Sequence, residues 1–500
     1  MTVPTYDYVI VGSGINGAIA AAQLHADRPE AGILVLEAGR HITSHDGEHL
    51  VEADENAMNA SYEDLMRRAR QIEYVKGAVS MNEIEGDSWA TDMTGVFPAA
   101  FLGHNFAQFP GASIAWNIGG MGVHWTCATP WPYEHEIPDF LPRDEWDADL
   151  ETARRHLRTY NGPLVSGDWT NPFTEPMFAA LRDAVPSPDP EREFGFMPMA
   201  GVAYPDRPFA RTGPRDIAPF LFDGSVPNVT LVTGVLTTRV QYEDGAVTGI
   251  LGRDVVTGEE TVYTGRNYVI AADALRTPQL LWASGIRPEA LGVRLNEHAS
   301  IDGDVVIDAA RFGLTDADIP TAPDGEPFIG SYWSPSIGEA RPAHGQLMER
   351  DVEGMGHVLG VGWYCSTEIR PENRIEFSDE LTDALGMPHM TVHFSYSDAD
   401  LETIERTKAV QRAAANAIGD FGDRETEVLP AGASLHYTGT VRMGAVDDGT
   451  SVCDTDGRVW GFDNLYVVGN GVVPTALTCN ATLTGATLTI RIARALAAAI

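Results

Sequence analysis

The apolar run Tyr6-Asp7-Tyr8-Val9-Ile10-Val11 ends in glycines, small and apolar residues follow from about Ala18 to Ala26, and Ile33-Leu34-Val35-Leu36 comes next. This order predicts a strand, a helix and a second strand, a β-α-β unit. Residues 41–95 are polar and irregular apart from a predicted helix over 62–71, and 101–133 is rich in Gly, Trp and small residues. Acidic-basic stretches at 144–160 and 176–184 read as helices. Residues 228–273 alternate as strands at 228–232, 236–242, 247–254 and 268–272, with a turn at Asp244-Gly245. That pattern predicts a three-stranded meander returning to a central strand. Further strands are expected at 356–364, 373–377 and 390–396, then a helix at 398–417. Between Pro/Gly turns they predict an antiparallel sheet with helices on one face. The last seventy residues hold an apolar strand, Leu465-Tyr466-Val467-Val468, ending at Gly469-Asn470-Gly471, and an apolar-rich helix starting near Ala481.

The glycines after the first strand are Gly12, Gly14 and Gly17, in Gly-x-Gly-x-x-Gly spacing, and Glu37 ends the second strand twenty residues after Gly17. Gly12 allows the tight turn, Gly14 lets the backbone approach a pyrophosphate, and Gly17 lets the helix pack close to the sheet. The pyrophosphate then meets free N–H groups and the positive end of a helix dipole. Glu37 can accept both hydroxyls of an adenosine ribose and would repel a 2′-phosphate, which disfavours NADP. This first segment specifies a dinucleotide. The second glycine-ended strand, more than 400 residues later, points to FAD. The cofactor domain is therefore discontinuous, over 1–138, 204–302 and 431–500. Residues 139–203 read as an excursion or substrate-side lobe and 303–430 as an inserted substrate domain, with the active site where the two domains meet.

Five hundred residues suggest two or three units of ordinary size. Apolar content of 44% and charged content of 21% fit a globular enzyme, and a net charge of −37 disfavours nucleic acid or an anionic membrane as partner. The first strand begins at Tyr6, which leaves no room for a secretory signal, and no apolar run reaches membrane-spanning length. Cys127, Cys365, Cys453 and Cys479 are too scattered for zinc or a disulfide framework. The cytoplasm is the expected compartment, and no metal is expected.

Three constellations carry candidate chemistry. His436 precedes a glycine-rich turn, and Asn480 lies 44 residues later, just before the final helix. Oxidising an alcohol by hydride transfer needs a base for the hydroxyl proton, which a histidine supplies near neutral pH, and an amide can orient the same oxygen. Spacing alone fits a satisfied core histidine equally well. The helix N-terminus at Ala481 and Thr482 could stabilise negative charge on a reduced flavin. His298 reads as a buried structural or cofactor-shell residue. In Gly119-Gly120-Met121-Gly122-Val123-His124-Trp125-Thr126 the glycines, Gly120 among them, let backbone press on a flat ring. His124 could attach flavin covalently or simply pack.

Together these segments resemble the glucose-methanol-choline (GMC) oxidoreductases, flavoenzymes that oxidise alcohols. The resemblance spans nearly the whole chain and is nearest to pyranose 2-oxidases and bacterial sugar and C-glycoside 3-oxidases. His124-Trp125-Thr126-Cys127-Ala128-Thr129-Pro130, Leu435-His436 with Thr440, Arg442, Met443 and Gly444, and Pro474-Thr475-Ala476 leading to Asn480 carry it. It implies an α/β fold with a Rossmann-like FAD domain, a meander, and a substrate domain like that of p-hydroxybenzoate hydroxylase. It also implies His436 as base, Asn480 as its partner amide, and His124 at the position that bears flavin in fungal relatives. Thr126 would lie near flavin N5 and O4, Val235 at the adenine, and Gln346 and Asp351 at the sugar. Val123, Asn470 and Ala481 depart from the family pattern, and Val123 leaves a covalent link open. The expected reaction is oxidation of a C3 or C2 hydroxyl of a sugar or glycoside to a keto-sugar, with C3 preferred. Oxygen or another acceptor then reoxidises FAD. A GMC enzyme acting on a choline-like or aryl alcohol, a non-catalytic flavin sensor and a nicotinamide dehydrogenase are the alternatives.

Overall fold

The computed structural model describes residues 6–43, 45–52, 95–103, 106–164, 171–204, 209–320, 328–352, 354–422 and 426–499, and the helix expected over 62–71 lies outside them. Strand β1 (Tyr6–Val11) leads through helix α1 (Ile15–Asp27) to β2 (Ile33–Glu37). Helix α2 (Arg143–His156) precedes β3 (Val229–Thr233), then β4 (Val235–Glu243), β5 (Ala246–Asp254), β6 (Glu260–Tyr263), β7 (Gly265–Ile270) and α3 (Asp273–Ala283). Next come β8 (Ala299–Asp302), β9 (Gly330–Ser334), β10 (Ala343–Val352), β11 (Gly356–Cys365) and α4 (Asp398–Ile418). Strand β12 (Leu465–Val467) and helix α5 (Ala481–Ala498) close the chain.

Strands β12, β7, β1, β2 and β3 form one parallel sheet in that order. Their apolar character follows from burial on both faces, and α1 packs against α5 over the sheet. Gly12 sits at φ +103°, and a Cβ on Gly17 would lie 2.0 Å from the Gly12 carbonyl oxygen, so only glycine lets α1 start this close to the strand. The two ends of the chain thus meet in one sheet.

The meander differs from expectation in its membership. Residues 229–233 pair with Ile33–Glu37 and extend the parallel sheet, and β6 is the meander's third strand. Gly234, at φ +70°, breaks the chain between β3 and β4 and lets consecutive strands enter different sheets.

A second, antiparallel sheet is built on β8, β11, β10 and β9 in that order, with short strands at its edges. Helix α4 and the helix Thr174–Ala184 cover one face, where Leu347, Leu359, Val361 and Trp363 are fully buried. Two segments divide differently from the expected boundaries. In the 139–203 excursion, α2 packs on α5 while Thr174–Ala184 packs on α4, because each has one apolar stripe and each stripe finds a different core. The hairpin Arg374–Thr382 with Pro388–His393 forms its own two-stranded sheet, bridged to Val293 and Gly103, and Ile375, Phe377, Met390 and Val392 join the core around the parallel sheet.

Candidate active site

A cleft of about 1450 Å³, open solvent at its mouth included, runs along the carboxyl ends of the parallel strands. Gly12, Gly14, Glu37, Gly120, Val235, Asn470 and Thr482 line it. Such an edge is where open α/β sheets bind dinucleotides. The cradle fits FAD on several counts. A Cβ on Gly14 would meet nothing nearer than 3.8 Å, so space remains in front of the backbone. Asn470 Oδ1 is buried without a partner. Ile15 and Thr482, in the first turns of α1 and α5, both face the cleft, so two positive helix ends do too. Glu37 is held rigidly: Ser13 N–H and Oγ–H donate to Oε2 at 2.9 and 2.7 Å, and Gly39 N–H to Oε1 at 2.7 Å.

Gly17, His124, Thr126, His436, Asn480, Gln346 and Asp351 are not on the cleft wall. Gly17 works behind it, in helix packing. Thr126 is exposed, and His124 keeps some accessible surface. Asn117 Nδ2 donates to the carbonyls of Ile118 and Gly120, at 3.0 and 3.1 Å, which turns Asn117 Oδ1 towards His124 Nε2 at 2.8 Å. His124 therefore carries its proton on Nε2, and burial pushes its pKa down to about 4.

His436 lies between Leu435 and Tyr437, both cleft residues, and points away from them towards Asn480. Asn480 Nδ2 donates to His436 Nε2 at 3.1 Å and to Gln346 Oε1 at 3.3 Å, and Asn480 Oδ1 is buried without a partner. His298 Nδ1 lies 2.9 Å from His436 Nδ1, and His298 Nε2 lies 2.9 Å from the Leu477 carbonyl oxygen. Burial, with His298 and His344 close by, pushes the His436 pKa well below its ordinary value. The ring is therefore neutral at physiological pH, and the residue is half-buried. Glu297 anchors the segment, accepting from Ser434 N–H at 3.1 Å and His436 N–H at 3.2 Å. Burial outweighs these donors and pushes its pKa up to about 8.

Strand β10 carries Gln346 and sets its company. Side chains alternate faces with period two, and the register opposes Gln346 to Gly362 and Trp333, and His344 to Tyr364. Met348, Gly362 and Tyr364 on this face keep accessible surface. His344 stacks on Tyr364 with ring centroids 5.2 Å apart, and neither of its nitrogens has a partner; nor has Trp333 Nε1. Asp351, five residues beyond Gln346, projects from the opposite face and is exposed at the strand's far end, about 17 Å along at ~3.4 Å per residue. The structure does not bring Asp351 to His436: an odd offset on an unbroken strand reverses the face.

Sequence reading missed His344 as a site residue, although its position two residues before Gln346 places it on the same face. It also missed Glu136, which nothing local marks. Glu136 Oε1 accepts from the backbone N–H of Thr478 and, at 2.8 Å, of Cys479, and Oε2 accepts from Tyr133 N–H at 2.7 Å. This buried carboxylate clamps the turn that delivers Asn480. Among the described residues no group of His, Cys, Asp and Glu could hold a metal ion, and no helix is long and apolar enough to cross a membrane.

A dinucleotide cleft, with a half-buried histidine and a buried amide paired behind its Leu435 and Tyr437 wall, defines a flavin-dependent oxidoreductase. The chain belongs to the GMC oxidoreductase family, whose models match residues 217–300 and 370–489. It is similar to a C-glycoside 3-oxidase of Microbacterium trichothecenolyticum, 37% identical over 98% of this chain and 96% of that protein. A C-glycoside 3-oxidase of Arthrobacter globiformis is 34% identical over 98% and 95%. A pyranose 2-oxidase of Tricholoma matsutake is 28% identical over 79% and 76%. The crystal structure of a pyridoxine 4-oxidase from Mesorbium loti superposes with a TM-score of 0.60 over 98% of this chain and 99% of that one, at 16% identity, and shows the shared fold.

Proposed function

We propose that the protein oxidises a secondary hydroxyl of a pyranose sugar or glycoside to a ketone, with His436 as the base. The observation that carries this reading is the 3.1 Å pairing of His436 Nε2 with Asn480 Nδ2, beside a sheet face holding unpartnered polar groups. Bound FAD supplies the hydride acceptor. The protein's own share is proton handling and orientation. His436 takes the hydroxyl proton at Nε2, and the Asn480 N–H that rests on this nitrogen at 3.1 Å turns to the substrate oxygen that loses it. His344, Trp333 Nε1 and Asn480 Oδ1 are polar atoms that a polyol would satisfy and an apolar alcohol would leave orphaned.

The relatives named C-glycoside 3-oxidase, similar over nearly the whole chain, support C3 of a glycoside as the position oxidised and oxygen as the electron acceptor. FAD is held without a covalent bond in this reading, because His124 is not on the cleft wall and its Nε2 is engaged with Asn117 Oδ1 at 2.8 Å.

Anaerobic mixing with a C- or O-glycoside should bleach the yellow protein, and product NMR should locate the new carbonyl at C3. No bleaching by any sugar, or a carbonyl at C2, would overturn the corresponding part. His436→Ala should keep the colour and slow bleaching by roughly 10²–10⁴-fold, the usual contribution of a general base. Acid precipitation should leave colour in the supernatant; a yellow pellet would establish a covalent link.

A further inference from the structure

We infer that His298 is the positioning residue that fixes which nitrogen of His436 carries the proton. This rests on His436 being the base, and the geometry determines the tautomers from one end of a chain of contacts to the other. The Leu477 carbonyl can only accept, so at 2.9 Å the facing His298 Nε2 must carry hydrogen. Burial pushes the pKa of His298 down to about 4, so at neutral pH its ring holds one proton. Nδ1 is then a lone pair. At 2.9 Å from that lone pair, His436 Nδ1 must be the donor. His436 Nε2 is therefore the bare nitrogen, the one beside Asn480.

The other end of the chain fits the same pattern. Asn480 Nδ2 donates to Gln346 Oε1 and keeps its second hydrogen for His436 Nε2, which must accept. One obligate acceptor, the Leu477 carbonyl, fixes the protonation pattern across two imidazoles, and the Asn480 amide fits it. The partner that orients the base here is a neutral imidazole, 3% exposed, and no carboxylate touches the His436 ring among the described contacts. Glu297 reaches only the backbone N–H of His436. Reversing the pattern would set His298 Nε2 and the Leu477 oxygen lone pair to lone pair in a buried site and would put a proton where the base must be bare. His298 thus does for His436 what an orienting carboxylate does in a catalytic triad, without adding a charge.

Two variants separate positioning from mere packing. Gln at position 298 can accept from His436 with its oxygen and donate to Leu477 with its nitrogen, whereas Leu can do neither. With FAD-loaded protein and a glycoside, His298→Leu should lower the maximal rate of flavin bleaching by roughly 10–10³-fold, short of the ~10⁴ that a fully wrong tautomer costs. The apparent substrate affinity should change far less. His298→Gln should recover most of that rate at similar thermal stability. Equal rates for the two variants, or a loss residing in KM alone, would overturn the inference.

A second readout does not require turnover. In protein carrying ¹⁵N-histidine, the His436 resonances, assigned by their loss in His436→Ala, should show protonated Nδ1 and bare Nε2 in the wild type. Mixed tautomers are expected in His298→Leu. A wild-type Nε2–H would overturn the inference. Were no sugar to bleach the wild type, the proposed reaction would fail while these resonances still decided the tautomer.

Discussion

A side chain's chemistry is set by what its neighbours force on it. Gln346 and Asp351 are both polar, yet only Gln346 faces Asn480, because five residues along an extended strand reverse the side-chain direction. Gln346→Ala should weaken sugar binding and slow bleaching by roughly tenfold, the worth of one hydrogen bond at about 1.4 kcal/mol per decade. Asp351→Ala should leave both parameters unchanged within error. Steady-state KM and kcat for the two variants check this, and an Asp351 effect as large as that of Gln346 would return the aspartate to the substrate. The same alternation made His344 legible in retrospect. No sequence rule could show that both its nitrogens would be left unpartnered, since that depends on Tyr364, which is brought beside it by the next strand.

Helix α5 begins at Ala481, so the turn before it decides where Asn480 points. That turn is held from outside by Glu136, through the N–H groups of Thr478 and Cys479, and by Thr475 Oγ–H, which donates to the Glu136 carbonyl at 2.7 Å. Glu136→Ala should strip the acceptor from two buried donors, at ~1–3 kcal/mol each, and lower stability and bleaching rate together. Glu136→Gln keeps one oxygen and should retain most of both. Thermal unfolding and stopped-flow bleaching on the pair test this; an alanine variant of full activity would show that the turn holds itself. The expected helices at 144–160 and 398–417 match α2 and α4 closely because their apolar stripes are local. The meander was misassigned because a single glycine, Gly234, sends β3 and β4 to different sheets.

The stability of the folded protein should pass through a maximum in pH. His49 and His298 have pKa values lowered from 6.5 to about 3 and about 4, so they stay neutral in the fold while the unfolded chain takes up protons. Their contribution is present above pH 6.5 and is lost as pH falls towards about 4, at up to ~1.4 kcal/mol per pH unit for each. Glu297 runs the other way: raised from 4.5 to about 8, it favours the fold below 4.5 and loses that contribution as pH rises through about 8. Between 4.5 and 6.5 the two histidines act together with His124, His344 and His436, whose pKa values burial also lowers, and outweigh Glu297; above 6.5 the histidines are neutral in both states and Glu297 still titrates. Denaturation midpoints of the FAD-loaded protein should therefore peak near pH 6.5, and Glu297→Gln should flatten the alkaline decline. A midpoint climbing steadily to pH 8 would contradict this.

The glycine spacing, Glu37 and the glycine-ended strand at the far end of the chain announced the dinucleotide cleft, because strand, turn and helix N-terminus are made by neighbouring residues. His436 and Asn480 were candidates from their chemistry alone, and only the resemblance separated them from a satisfied core histidine and its neighbour. Their 3.1 Å contact, the imidazole behind them and the carboxylate that clamps their turn were decided by the tertiary structure alone. The physical reason is distance along the chain: His298 lies 138 residues before His436 and Glu136 lies 343 before Cys479. Only the tertiary fold brings such groups within reach of a proton.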